Sequence, residues 1–70
     1  MIEITAPMGG KVIEIKVKIG DTVNEDDEVL ILEAMKMELP VVATGSGKVK
    51  EIKCQVGAAV EAEAVLVVLE

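Results

Sequence analysis

The residues able to do chemistry are few. With no histidine, one cysteine, Cys54, and one serine, Ser46, the chain cannot assemble an imidazole-assisted nucleophile, a zinc site or an internal disulfide. Two stretches imitate ligand loops and fail. Gly45-Ser46-Gly47-Lys48-Val49 looks like part of a phosphate loop, yet it lacks the glycine four residues earlier and the hydroxyl after the lysine. The acidic run 21–28 puts Val23 at a calcium-ligand position and Leu32 where the bidentate acid belongs. Carboxylates are plentiful, but so small a chain has little room for a cleft that would hold a working pair. What remains is an amine. Lys36 stands in Glu33-Ala34-Met35-Lys36-Met37-Glu38, between two large thioethers, where a turn ordinarily carries Gly, Asn or Asp. Once uncharged, a lysine amine is a nucleophile.

Lys36 is also the midpoint of a repeat, because residues 2–33 can be laid on 39–70 at a constant offset of 37. Gly10, Lys11 and Val12 fall on Gly47, Lys48 and Val49; Gly20, Val23, Leu32 and Glu33 fall on Gly57, Val60, Leu69 and Glu70. Two copies are too few for a solenoid, so two half-folds closed face to face about a pseudo-two-fold axis are expected, with the midpoint near that axis.

Each half reads as four short strands. Residues 2–5 alternate, and Ala6-Pro7-Met8-Gly9-Gly10 punctuates a bend. Over residues 11–19, Ile13, Ile15, Val17 and Ile19 alternate with Glu14, Lys16 and Lys18, which predicts one long half-buried strand. Val12 breaks the phase, and Val49 and Ile52 keep the same three-residue spacing in the second half, so a bulge or a change of face early in the strand is expected at both places. A turn at Gly20, a short strand to Val23 and a polar loop lead to the apolar run 29–32. The expected fold class is all-β: eight short strands in two equivalent sets of four, forming a flattened barrel or sandwich, one domain over residues 1–70. Residues 32–39 also contain good helix formers, but eight residues are short for a stable helix and their counterparts resemble strand. A hairpin with Lys36 at its tip, spanning 34–38, is favoured.

Composition narrows the partners. Seventy residues make one small domain, and without Phe, Tyr or Trp its core must come from aliphatic residues and Met, each large one contributing roughly 1.5 to 3 kcal/mol when fully buried. A net charge of -6 repels phosphate backbones and anionic lipid heads, and there is no aromatic ring on which bases could stack. Nucleic acid is therefore not an expected partner. No apolar run is long enough to cross a bilayer and the first residues do not open a signal peptide, so the expected location is cytoplasmic. Cys54 falls on Val17 and reads as a small core residue.

Glu33-Ala34-Met35-Lys36-Met37-Glu38 resembles the attachment motif of biotinyl domains, the biotin carboxyl carrier family. Ala6-Pro7-Met8-Gly9-Gly10-Lys11-Val12 is similar to that family's opening segment, and the similarity runs over essentially the whole chain, including Val17, Gly20-Asp21 and Val23. The resemblance implies a flattened barrel of two four-stranded antiparallel sheets, with biotin joined covalently to Lys36 on the hairpin between the fourth and fifth strands and the chain termini at the other end. It implies a biotin protein ligase that reads Met35 and Met37, with Glu33, Ala34 and Glu38 completing the motif. It also implies a carrier that does no bond chemistry itself and is monomeric by itself, serving a biotin carboxylase and a carboxyltransferase. Acylation would take the net charge from -6 to about -7. Asp26 and Glu63 stand where the family commonly has Gly, and Pro40 lies in the fifth strand. A lipoyl carrier is the nearest alternative, although lipoyl domains typically flank the lysine with Asp and Ala. A different alternative is an unmodified interaction module, with Met8, Met35 and Met37 as a soft contact patch.

Overall fold

The repeat is visible first in the order of the strands. A computed structural model describes all 70 residues as β1 Ile2–Thr5, β2 Gly10–Ile15, β3 Thr22–Val23, β4 Glu28–Ala34, β5 Met37–Val42, β6 Gly47–Ile52, β7 Ala59–Val60 and β8 Val65–Leu69, with no helix. They form two four-stranded sheets, ordered β1-β8-β6-β3 and β5-β4-β2-β7, and every pairing is antiparallel. Exchanging each strand for its counterpart in the other half turns one order into the other, so both faces of the sandwich are built to a single plan.

The plan extends to individual hydrogen bonds. Gly20 N donates to Val49 O at 2.9 Å, as Gly57 N does to Val12 O at 2.6 Å; Lys16 N donates to Val29 O and Lys53 N to Leu66 O, both at 2.8 Å. The inner faces close over one core with contributions from both sheets, among them Val12, Leu30, Leu32 and Val41 from one and Ile4, Val49, Leu66 and Leu69 from the other. No polar side chain is buried in it. Because apolar burial is the main favourable term in folding and each sheet supplies part of one shared core, the two sheets stabilise each other.

Two expectations are corrected. The long strand over residues 11–19 ends at Ile15, and its apolar alternation does not lie on one buried face: Val12 is 0% exposed and Ile19 is 67% exposed. The cause is the register shift between Val12 and Glu14, repeated between Val49 and Glu51, which is the bulge anticipated from the broken phase. Beyond Ile15 the chain leaves its sheet and turns at Gly20, whose φ of 97° suits glycine, to reach β3 in the opposite sheet. The hairpin also lies off the two-fold axis. The pair Leu32↔Leu39 at its base has Ile2↔Leu69 as its counterpart, so the axis carries the hairpin onto the paired chain ends and not onto itself.

Candidate functional site

Strands β4 and β5 form a hairpin whose pairs run from Glu28↔Val42 to Ala34↔Met37, leaving Met35 and Lys36 as a two-residue loop. Both have positive φ, 53° and 64°, the signature of a type I′ turn, which is usually filled by Asn-Gly or Asp-Gly. For residues with a Cβ this backbone costs about 1–2 kcal/mol each. The strain is held by what lies beneath. Ala34 is buried, and Gly10 on the neighbouring β2 approaches so closely that a Cβ there would stand 2.6 Å from the Glu33 carbonyl oxygen and 3.3 Å from the Ala34 Cβ. The absence of a side chain at Gly10 lets β2 seat the hairpin base.

The turn leaves the amine free. Lys36 is exposed and takes part in neither of the two ion pairs, Lys16–Glu28 and Lys53–Glu51, nor in any side-chain hydrogen bond. Its neighbours are exposed as well: Met35 by 83% and Met37 by 62%. The thioethers therefore do not fold down to cap the barrel end, although Met8 is half-buried. On the outer face just below, Glu33 lies directly opposite Glu38 on one side and Lys11 on the other. Two like charges in register oppose pairing by some tenths of a kcal/mol, so this is an acidic row retained at a cost beside a cationic tip.

The six residues of the sequence motif thus come together on one element, with Lys36, Met35 and Met37 at its end, Glu33 and Glu38 on its outer face, and Ala34 inside. Gly10 and Lys11 were not foreseen as neighbours of the motif. Their signal was the recurrence of Gly-Lys-Val at 47–49, where a Cβ on Gly47 would meet the Glu70 carbonyl oxygen at 2.8 Å. Two surface hollows lie elsewhere, around Glu3, Lys50 and Val68 and around Lys16, Asp21 and Asp27. The arrangement therefore offers an amine to be acted upon. It does not enclose a substrate.

Cys54, expected as a small core residue, is half-buried and packs against the core from outside it, and this burial pushes its thiol pKa upward. That is the opposite of what activates a nucleophilic thiolate.

Comparison with known proteins agrees with this geometry. The chain matches, over residues 2–69, the family described as Biotin-requiring enzyme, a biotin/lipoyl family. It is 53% identical over 38 residues to a biotin carboxyl carrier protein of Streptococcus mutans, covering 54% of this chain and 29% of that one. It is 44% identical over 43 residues to a biotin/lipoyl attachment protein of Bacillus subtilis, covering 61% of this chain and 59% of that one. Among solved structures, part of the urea carboxylase of Kluyveromyces lactis superposes with a TM-score of 0.91 at 37% identity, covering 97% of this chain and 6% of that protein. In each case the match spans less than two thirds of the relative's length.

Proposed function

The chain belongs to the biotin/lipoyl family of biotin-requiring enzymes, and from that premise we propose that it is a biotin carboxyl carrier whose biotin is joined as an amide to Lys36 Nζ. The observation that carries the reading is the strained turn, which holds one unpaired amine in solvent between two exposed thioethers. The residues fit the group: nothing in the fold competes for Nζ, and the turn leaves space on every side for an acyl chain. When bound, biotin supplies a ureido nitrogen that can carry a carboxyl group.

The chain's own contribution is presentation. An amine attacks a carbonyl only as the free base, so the ligase must supply a base or a dry pocket around a side chain that this fold leaves exposed. Met35 and Met37 offer apolar surface that a closing ligase can desolvate. Afterwards the body tethers the group close to each catalytic site, at an effective concentration roughly in the millimolar range. The proposed partners are a biotin protein ligase, a biotin carboxylase and a carboxyltransferase, and the acidic body keeps the carrier soluble between them.

The name of the Bacillus subtilis relative covers lipoyl as well as biotin, so the two acyl groups form the pair to separate. Intact mass after incubation with a biotin protein ligase, ATP and biotin is expected to show one biotinyl adduct, lost in Lys36→Arg with an unchanged far-UV circular dichroism spectrum. An adduct that persists in Lys36→Arg refutes the site. Lipoyl transfer at an equal or greater rate by a lipoate ligase refutes the preference for biotin.

A further inference from the structure

The two sheets are copies of each other, so each residue on one outer face has a counterpart 37 positions away on the other, and each face serves as a control for its twin. The outer face of β1-β8-β6 is a shallow hollow lined by Met1, Glu3, Lys50, Glu51, Lys53 and Val68, two acids against two bases. The twin face on β5-β4-β2 differs where it matters. Pro40 stands in place of Glu3 and Ile13 in place of Lys50, while Val68 has Ile31 as its counterpart.

These residues form a contiguous apolar centre. Ile31 lies opposite Glu14 on β2 and opposite Pro40 on β5, and Ile13 sits in the bulge beside Glu14. Two residues further along β5, Val42 is 38% exposed. Ile13 and Ile31 are half-buried, yet they belong neither to the core cluster nor to the side chains packed against it. They face outward. Folding does not require Ile13 or Pro40 to be apolar, because the same backbone folds in the other half with Lys50 and Glu3 at their equivalent positions; at Ile31 both halves carry an aliphatic residue.

The rim is acidic. Lys16 is already paired with Glu28 at 2.9 Å, which leaves Glu14, Glu33 and Glu38 against Lys11 around the apolar centre. A second copy of the chain would bring the same acidic rim and a net charge of -6, so the complementary surface is apolar in the middle and basic at its edge. Position narrows the occupant further. Ile31 is three residues along β4 from Ala34, about 10 Å from the turn at ~3.3 Å per residue. An unmodified lysine is short, so whatever acylates it must press against the body this near the turn. Partners that act later reach a longer arm.

We propose that this face, centred on Ile31, docks the enzyme that acylates Lys36, through an apolar patch rimmed by basic residues. The inference rests on the carrier reading. Its test transplants the twin face: Ile13→Lys with Pro40→Glu, each substitution taken from the counterpart position. Lys50→Glu on the opposite face is the control, and Glu14→Lys is a second, independent change to the rim. With biotin protein ligase, ATP and biotin, the double variant and Glu14→Lys are each expected to raise KM by about tenfold with kcat nearly unchanged, the pattern of lost ground-state binding. Lys50→Glu should leave KM as it is, and the thermal midpoints of all four proteins should agree closely.

An unchanged KM in both face variants overturns the proposal, as does an equal rise in Lys50→Glu. If light scattering shows the unmodified protein to be a dimer that the double variant dissociates, the face belongs to a second copy and the proposal falls. Failure of the unmodified protein to take biotin at all would instead remove the carrier reading on which it stands.

Discussion

Asp26 and Glu63 hold the same left-handed backbone in the two halves, at φ of 73° and 69°, and close the same bond to a buried alanine. Asp26 N donates to Ala43 O at 2.9 Å and Glu63 N to Ala6 O at 2.8 Å. Both positions ask for glycine and have none. Replacing Glu63 by Gly is expected to raise stability by about 0.5–1 kcal/mol, since relieved strain exceeds the added freedom of the unfolded chain. Asp26→Gly should gain less, because Asp tolerates this region better than Glu. Urea midpoints at constant m-value measure both, and a loss in Glu63→Gly would show the turn to be unstrained.

The turn at Met35 and Lys36 predicts a conflict between stability and recognition. Met35→Gly should stabilise the chain by about 1 kcal/mol through the same relief, while slowing biotin transfer by the ligase because an apolar flank is gone. Chemical denaturation and a labelling time course on one preparation test both halves. Faster labelling would mean that the thioether at 35 is not read.

Gly10 is where the hairpin base meets its neighbour. A methyl there would stand 2.6 Å from the Glu33 carbonyl oxygen, so Gly10→Ala is expected to cost about 1–3 kcal/mol, as overpacking does. Gly47→Ala meets the Glu70 carbonyl oxygen at 2.8 Å, a milder clash, and should cost less. Denaturant midpoints of the two variants compare them directly.

Alkaline pH should erode stability from two sources. The Cys54 thiol is raised by burial, so the fold favours the protonated form. That stability is fully present below the unfolded thiol pKa, about 8.5, and is lost as pH rises through it toward the folded value. Lys16 is raised by its hydrogen bond to Glu28, then by the Glu28 charge, and the pair's contribution is complete below the ordinary lysine pKa and lost as pH climbs through the folded value. Cys54→Ala should flatten the first part of the decline in melts between pH 8 and about 10. Native Cys54 should also react with iodoacetamide more slowly than the same thiol in urea.

Specificity should follow the flanks. Met35→Asp with Met37→Ala is expected to weaken biotin transfer and favour lipoyl transfer, read as the ratio of the two adducts by intact mass. An unchanged ratio removes the thioethers from recognition.

Much of this fold was legible because the chain states it twice. The offset of 37 predicted the strand sets, and the phase break at Val12 and Val49 predicted the bulges at Val12/Glu14 and Val49/Glu51. Strand length was not legible. Residues 16–19 keep the alternation of a strand, but after the bond from Lys16 N to Val29 O they continue no ladder, and the chain passes to the other sheet. The site motif was readable as one short run, whereas its backbone was not. Nothing in Met35 or Lys36 as residue types announces positive φ; the hairpin register imposes it from Ala34↔Met37 inward. The part played by Gly10 depends on a contact between strands, which local spacing does not express.

Each sheet takes its two middle strands from one half of the chain and its two edges from the other: β8 and β6 lie between β1 and β3, and β4 and β2 lie between β5 and β7. The halves are interleaved like clasped fingers. A polypeptide cut at Lys36 would yield two fragments, each with open seams where the other belongs, and neither able to seal a hydrophobic interior. Mixed together, they have the makings of a complementation pair that regains its shape only jointly.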